Sequence, residues 1–401
     1  MKRLGFICSL LLASTGCSMF DAQFEINDLR ILAVQTEPAE ILYSPLFLFP
    51  DEALPPGFTK PTTEVKVTVY AYDPRGNEVD TRLQLCPAEL IDEEDGCLDY
   101  DYYEKKDEHP FPEITRPVTD TITTAEGASG KLEAFEYTFN IAPEDFFTFL
   151  PKDELGNLFP SLFPTYLIFD IKVMPKDGPK EEGERAYKRL PMYFDFANPI
   201  TPPDLADAAS EALGQRFCTP QDNIEEFAPG SNAECIYPKV PNANPELLGF
   251  DVDLSEVFPL ELVTGETIDD VGFQLEEVID VRPGDKLLIS PVVTAESVES
   301  YQVFSFDLNT GEIPAINREE SLRVEYIITG GGFFDGPPFG SMQFSSNGHI
   351  STIWTLPNDR KKMEEDVIIA VIRDQRGGTT VSELTVRYVE DGDPEASAFG
   401  F

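Results

Sequence analysis

Between Glu64 and Tyr72 the chain alternates without a break: Val65, Val67, Val69 and Ala71 fall on one side, Lys66, Thr68 and Tyr70 on the other. A period of two is that of a strand with one buried face. The same period recurs in Phe135, Tyr137 and Phe139, and again in Leu167, Phe169, Ile171 and Val173. Ahead of them Leu29-Arg30-Ile31-Leu32-Ala33-Val34 reads as a first strand, stopped at Glu37-Pro38. The prolines at 45, 50, 55, 56 and 61 then demand an irregular path, because proline cannot donate to a ladder. Asp73-Pro74-Arg75-Gly76-Asn77 carries turn chemistry and predicts a hairpin into a strand through Thr81–Cys86. A polar return over 175–184 leads to a strand within 185–196, and together these strands predict a first sandwich over 29–199.

The second half repeats the pattern. Pro202-Pro203 precede an alanine-rich stretch that ends at Gly214, which predicts a helix over 201–214. The Pro- and Asn-rich residues after it make 200–245 a linker. Candidate strands follow at 271–279, 286–293, 301–308, 321–328, 351–356, 366–373 and 379–389. Seven short strands separated by turn signals fit an immunoglobulin-like sandwich over 246–391. The expected fold is therefore mainly β: two immunoglobulin-like β-sandwich domains joined by a partly helical, disulfide-containing linker, with a C-terminal tail over 392–401. Trp354, the one tryptophan, is expected in the core. The glycines between 330 and 340 predict a flexible loop; they lack phosphate-loop spacing, so no nucleotide site is read there. An internal echo joins the halves: Val69–Gly76 and Ala370–Gly377 both run a strand into Asp-x-Arg-Gly. The arginine of each turn is expected to pair with its aspartate.

Charge narrows the partners. The chain holds 73 acidic and 30 basic residues among 401, a net charge of −43. Such a field repels phosphate backbones and argues against nucleic acid. It fits either solubility in a salty medium or cation binding. The densest acidic set, Asp92, Glu93, Glu94, Asp95, Asp99 and Asp101, is a weak calcium candidate: calcium wants 6–8 oxygens, but the spacing is not that of an EF-hand loop. No other cofactor is expected. Two histidines, His109 and His349, and no nucleophile elbow argue against His-dependent catalysis, so no catalytic residue is assigned. Acid-pair hydrolysis stays open because carboxylates are everywhere.

The N-terminus carries the address. Met1-Lys2-Arg3 precedes an apolar run from Leu4 to Ala13 that is too short to span a bilayer and ends in small residues, as a cleavable signal does. Ser14-Thr15-Gly16-Cys17 resembles the lipobox of bacterial lipoproteins. The resemblance implies removal of 1–16, lipid attachment at Cys17, a tether over 17–28 and a membrane held through the lipid. Ser18, in place of the aspartate of an inner-membrane retention signal, implies the outer membrane. An ordinary signal peptide with a chance cysteine is the alternative. With Cys8 and Cys17 assigned, four cysteines remain, and their spacing suits two local disulfides, Cys86–Cys97 and Cys218–Cys235, in an oxidising compartment. The strand at 30–34, the Asp-x-Arg-Gly turn, the Cys86/Cys97 pair and the closing hairpin at 370–378 are similar to surface lipoproteins of myxobacterium-like bacteria. The function expected is non-enzymatic, structural or adhesive, with an envelope protein or glycan as partner. A solute- or glycan-binding lipoprotein, using the aromatics of 146–163 or the 330–340 loop, is the alternative.

Overall fold

The computed structural model describes residues 28–44, 60, 62–86, 121–127, 130–141, 165–176, 183–197, 201, 203–219, 221–222, 230–253, 278–304, 310, 314–329, 332–334, 339–342, 351–361 and 364–389. The first half forms β1 (Arg30–Glu37), β2 (Ile41–Tyr43), β3 (Thr63–Asp73), β4 (Val79–Cys86), β5 (Thr121–Gly127), β6 (Gly130–Ile141), β7 (Thr165–Pro175) and β8 (Glu184–Phe194). They make two four-stranded sheets, ordered β1-β3-β6-β5 and β2-β8-β7-β4. β2 runs parallel to β8 and every other pair is antiparallel. Taken in chain order, this is strands A-B-E-D facing C-F-G, the immunoglobulin arrangement, with a short extra strand on G. The alternating residues meet as expected: Val65, Val67 and Val69 of one sheet pack on Phe169, Ile171 and Leu190 of the other.

One expectation fails here. β3 and β4 do not form a hairpin, because β3 pairs with β1 and β6 while β4 pairs with β7. The Asp73–Asn77 turn therefore carries the chain across the core from sheet to sheet. The alternation is the same for a hairpin and for such an arch, since both bury one face of each strand.

Residues 203–213 form α1 (Pro203–Leu213), closed by Gly214 at φ 66°, where a left-handed residue caps the helix. Cys218 and Cys235 are bonded to each other, with Cα atoms 5.0 Å apart. This segment is more than a connector. Ala233 and Ile236 pack on Ala315 in a small apolar cluster, and Asn242 and Asn244 hydrogen-bond to both halves of the molecule.

The second half forms β9 (Leu247–Asp253), β10 (Val278–Val281), β11 (Lys286–Val293), β12 (Ser300–Phe304), β13 (Ala315–Glu319), β14 (Leu322–Ile328), β15 (Phe333–Phe334), β16 (Phe339–Met342), β17 (Thr352–Thr355), β18 (Glu365–Arg373) and β19 (Thr379–Tyr388). Its sheets are ordered β10-β19-β18-β14-β16 and β15-β17-β11-β9, with β12-β13 a separate pair. β10 lies parallel to β19 as β2 lies on β8, so the two halves share a core arrangement to which the second adds β16 and the β12-β13 pair. Trp354 is fully buried, as expected. The glycine-rich 330–340 stretch is not simply a loop, because Phe333–Phe334 pairs with β17 and Phe339–Met342 with β14.

β18 explains how the halves meet. Ile368, Ala370 and Ile372 face the core of the second sandwich. Val367, Ile369 and Val371, on the opposite face, pack with Ile327 against Leu32, Ala33, Tyr72 and Leu132 of the first. A strand that is apolar at every position from 367 to 372 is buried on both faces.

Candidate functional site

The β18–β19 hairpin carries its turn into the seam between the sandwiches, where several buried charged groups gather around it. Asp374 shapes the turn: its Oδ1 accepts from the backbone amides of Arg376, Gly377 and Gly378 at 2.7–2.8 Å. Its Oδ2 accepts from Asn242 Nδ2 at 3.0 Å. With the carboxylate so occupied, the arginine of this turn does not pair with it, contrary to expectation. Arg376 instead reaches Glu40 of the first sandwich and Glu299 next to β12, each at 2.8 Å, and Glu320 at 3.5 Å. It also donates to the Val240 carbonyl at 3.0 Å, and its guanidinium lies 5.1 Å from the centre of the Tyr301 ring. Gly377 permits this path, since φ is 111° there and Pro191 of β8 lies against it.

Further bonds close the seam around this hub. Lys188 of β8 donates to the Gly377 carbonyl at 2.6 Å and to Thr379 Oγ1 at 3.4 Å. Arg373 donates to the Leu32 carbonyl at 3.1 Å, and Lys239 lies 3.7 Å over the Tyr193 ring. Asn244 donates to the Thr36 carbonyl at 2.8 Å and accepts from the Thr379 amide at 2.9 Å. Beside the hub a crevice of about 290 Å³ opens between residues 31–34 and 186–188 of the first sandwich and the 373–379 turn of the second.

Burial dominates the electrostatics. It raises the Glu40 carboxyl, and Arg376 pulls against the rise. Glu320 is pushed up to about 7 by burial and by the nearby Asp374, with Arg376 opposing. Burial lifts Asp195 to about 6 and drops Lys188 to about 8. Each charge in the cluster is costly to desolvate, so one guanidinium saturated by glutamates from separate segments acts as a latch. Its hydrogen bonds are spent on holding the fold. No nucleophile–base pair emerges from it.

Cys17, the acidic set Asp92–Asp101, Cys97, His109, His349 and the aromatics of 146–163 are outside the described residues, and Cys86 is described only as the end of β4. Glu40, Lys188, Lys239, Glu299 and Glu320 carried no signal, for the partners that tie them to the seam lie more than forty residues away.

No protein-family model matches the chain, and no curated protein matches it. Among solved structures it is similar to the ectodomain of mouse nectin-like molecule 4, at 8% identity and a TM-score of 0.19. That match covers 90% of this chain and 65% of the other, just under two thirds of the neighbour's length. Latent PorU from Porphyromonas gingivalis matches at 9% identity and a TM-score of 0.16, over 92% of this chain and 24% of that one. The insect immune protein hemolin matches at 12% identity and a TM-score of 0.14, over 90% of this chain and 77% of that one.

Proposed function

We propose that the chain is a non-enzymatic lipoprotein of the cell envelope, anchored to the outer membrane through Cys17, whose two immunoglobulin-type domains form one stiff unit for structural or adhesive binding. The anchor rests on the likeness of Ser14–Cys17 to a lipobox, and the stiff unit is supported by Arg376, held at once by Glu40 of the first sandwich and by Glu299 and Glu320 of the second. Coupled with the apolar contact across β18, it resists the hinge motion that is the default for domains joined by a linker. A protein that binds at a distance from its anchor benefits from such stiffness, because ordering costs are met in folding and not in binding.

The test is fractionation of cells expressing wild type and Cys17→Ala, with the N-terminal mass measured on both. A lipidated wild type in the outer membrane and a soluble variant are expected. A wild type recovered soluble, with an unmodified cleaved terminus, would replace the anchored reading with a secreted or periplasmic one.

A further inference from the structure

The outer face of the β2-β8-β7-β4 sheet gathers cations. Leu167, Phe169 and Ile171 of β7 and Leu190 of β8 point into the core. Their neighbours of opposite parity, Tyr166 and Lys172 of β7 and Arg185, Tyr187 and Arg189 of β8, therefore point out. Arg82 of β4 joins them, since it sits opposite Lys172, which in turn sits opposite Arg185.

Two carboxylates of the described strands share the face. Asp170 is fully buried beneath it and fastened to Arg185 at 2.7 Å and 2.5 Å, while Asp80 lies two residues before Arg82 at the margin. Among the described residues, and apart from the Lys176–Glu78 pair at the end of the sheet, four cations against two carboxylates is a local excess of positive charge in a chain where acids outnumber bases 73 to 30. The cations are also positioned. The Arg185 guanidinium lies 5.6 Å from the Tyr187 ring centre and that of Arg189 lies 5.7 Å from Tyr166. The ring contact holds the Arg189 guanidinium in place while leaving its edge to face solvent, whereas that of Arg185 is engaged with Asp170. Tyr166 and Tyr187 are both exposed, at 37% and 41%. Arg82 and Arg189 are exposed and make no ion pair among the described residues.

We propose that this face binds an acidic polysaccharide. Planar guanidinium groups match carboxylate and sulfate oxygens two at a time. A flat sheet presenting them in rows suits an extended polymer better than a small solute. A protein partner fits less well, because the centre of the face is an ion pair, and protein interfaces deplete charge at their centres. The inference deepens the binding role proposed above and rests on that reading for its biological setting. Its chemistry is independent of the lipid anchor and of the Arg376 latch.

The experiment is retention of the purified full-length chain on immobilised polygalacturonate, with neutral dextran and polyglutamate as the other two matrices. A chain of net charge −43 has no general reason to adhere to a polyanion, so any retention must come from a local surface. Wild type is expected to bind polygalacturonate at low salt, to elute as salt rises, and to pass through dextran. Arg82→Ser/Arg189→Ser is expected to bind at least about tenfold more weakly with an unchanged melting temperature. A wild type that is not retained, or a double variant retained equally, would overturn the assignment. Stronger retention on polyglutamate would also overturn it, transferring the face to an acidic protein partner. A retained wild type whose Cys17 proves unmodified would leave this face standing and remove only the anchor.

Discussion

Two turns in this molecule share the sequence Asp-x-Arg-Gly and do opposite things. At the first, Asp73 accepts from the Arg75 amide at 2.9 Å and from its side chain at 3.3 Å, and Arg75 stays 44% exposed. At the second, Asp374 is consumed by three amides of its own turn, and Arg376, only 10% exposed, crosses to glutamates elsewhere. The difference lies in what surrounds each turn. The first is an arch at the rim of one sandwich, in reach of water, so a local pair suffices. The second is a hairpin thrust into the seam, where an arginine without carboxylates would be prohibitive. A motif sets the backbone of a turn; the environment decides what its arginine is for.

Removing each arginine should break the comparison most sharply. Arg376→Ala strands Glu40 and Glu320 in the seam and is expected to lower unfolding stability by about 3–5 kcal/mol. Arg75→Ala removes a half-exposed guanidinium from a buried Asp73 that keeps the Arg75 amide and Asn77 Nδ2 as donors, and should cost about 1 kcal/mol. Urea denaturation of both variants gives the ratio, and equal losses would dissolve the distinction.

pH sharpens it further. Glu320 titrates near 7 in the folded protein, above its ordinary value near 4.5. Between those values the native state holds the extra proton, so stability contributed by this group falls as pH rises from about 4.5 to about 7. Lys188, lowered to about 8, acts in the other direction: between about 8 and 10.5 the unfolded chain holds the extra proton, and stability rises with pH. Glu320→Gln should therefore flatten the acid-side slope, removing roughly 3 kcal/mol of its span. Melting curves from pH 4.5 to 8 read this directly, and an unchanged slope would exclude Glu320 as its source.

The glycines give the smallest effect. Gly76, at φ 69°, sits in the left-handed region that asparagine tolerates, whereas Gly377 is at φ 111°. Gly76→Asn is expected to cost under about 1 kcal/mol, and Gly377→Asn about 1–3 kcal/mol. Thermal melts of the pair would show which turn is the more constrained.

Much of the sandwich was legible because alternation is written locally. β3, β7 and α1 fall within a residue or two of the segments read from periodicity and capping. β9 was missed, for it carries Gly249 and acidic residues, and its pairing with β11 is broken by a bulge at Val292/Val293. β2 is three residues long and has no period to detect. The seam did leave one trace that the pattern of single sandwiches hides: Val367–Ile372 is apolar on both faces, which an ordinary half-buried strand never is. The latch left none. Glu40 and Arg376 are 336 residues apart, and nothing near either marks the other.

The central claim is that the two sandwiches act as one stiff unit, fastened by Arg376. Small-angle X-ray scattering of wild type and Arg376→Ala, across low and high salt, tests it most directly. The account predicts a wild-type radius of gyration that does not change with salt, and an expanded variant in which both sandwiches remain folded. A wild type that expands as salt rises, or a variant that scatters identically to it, would contradict the claim.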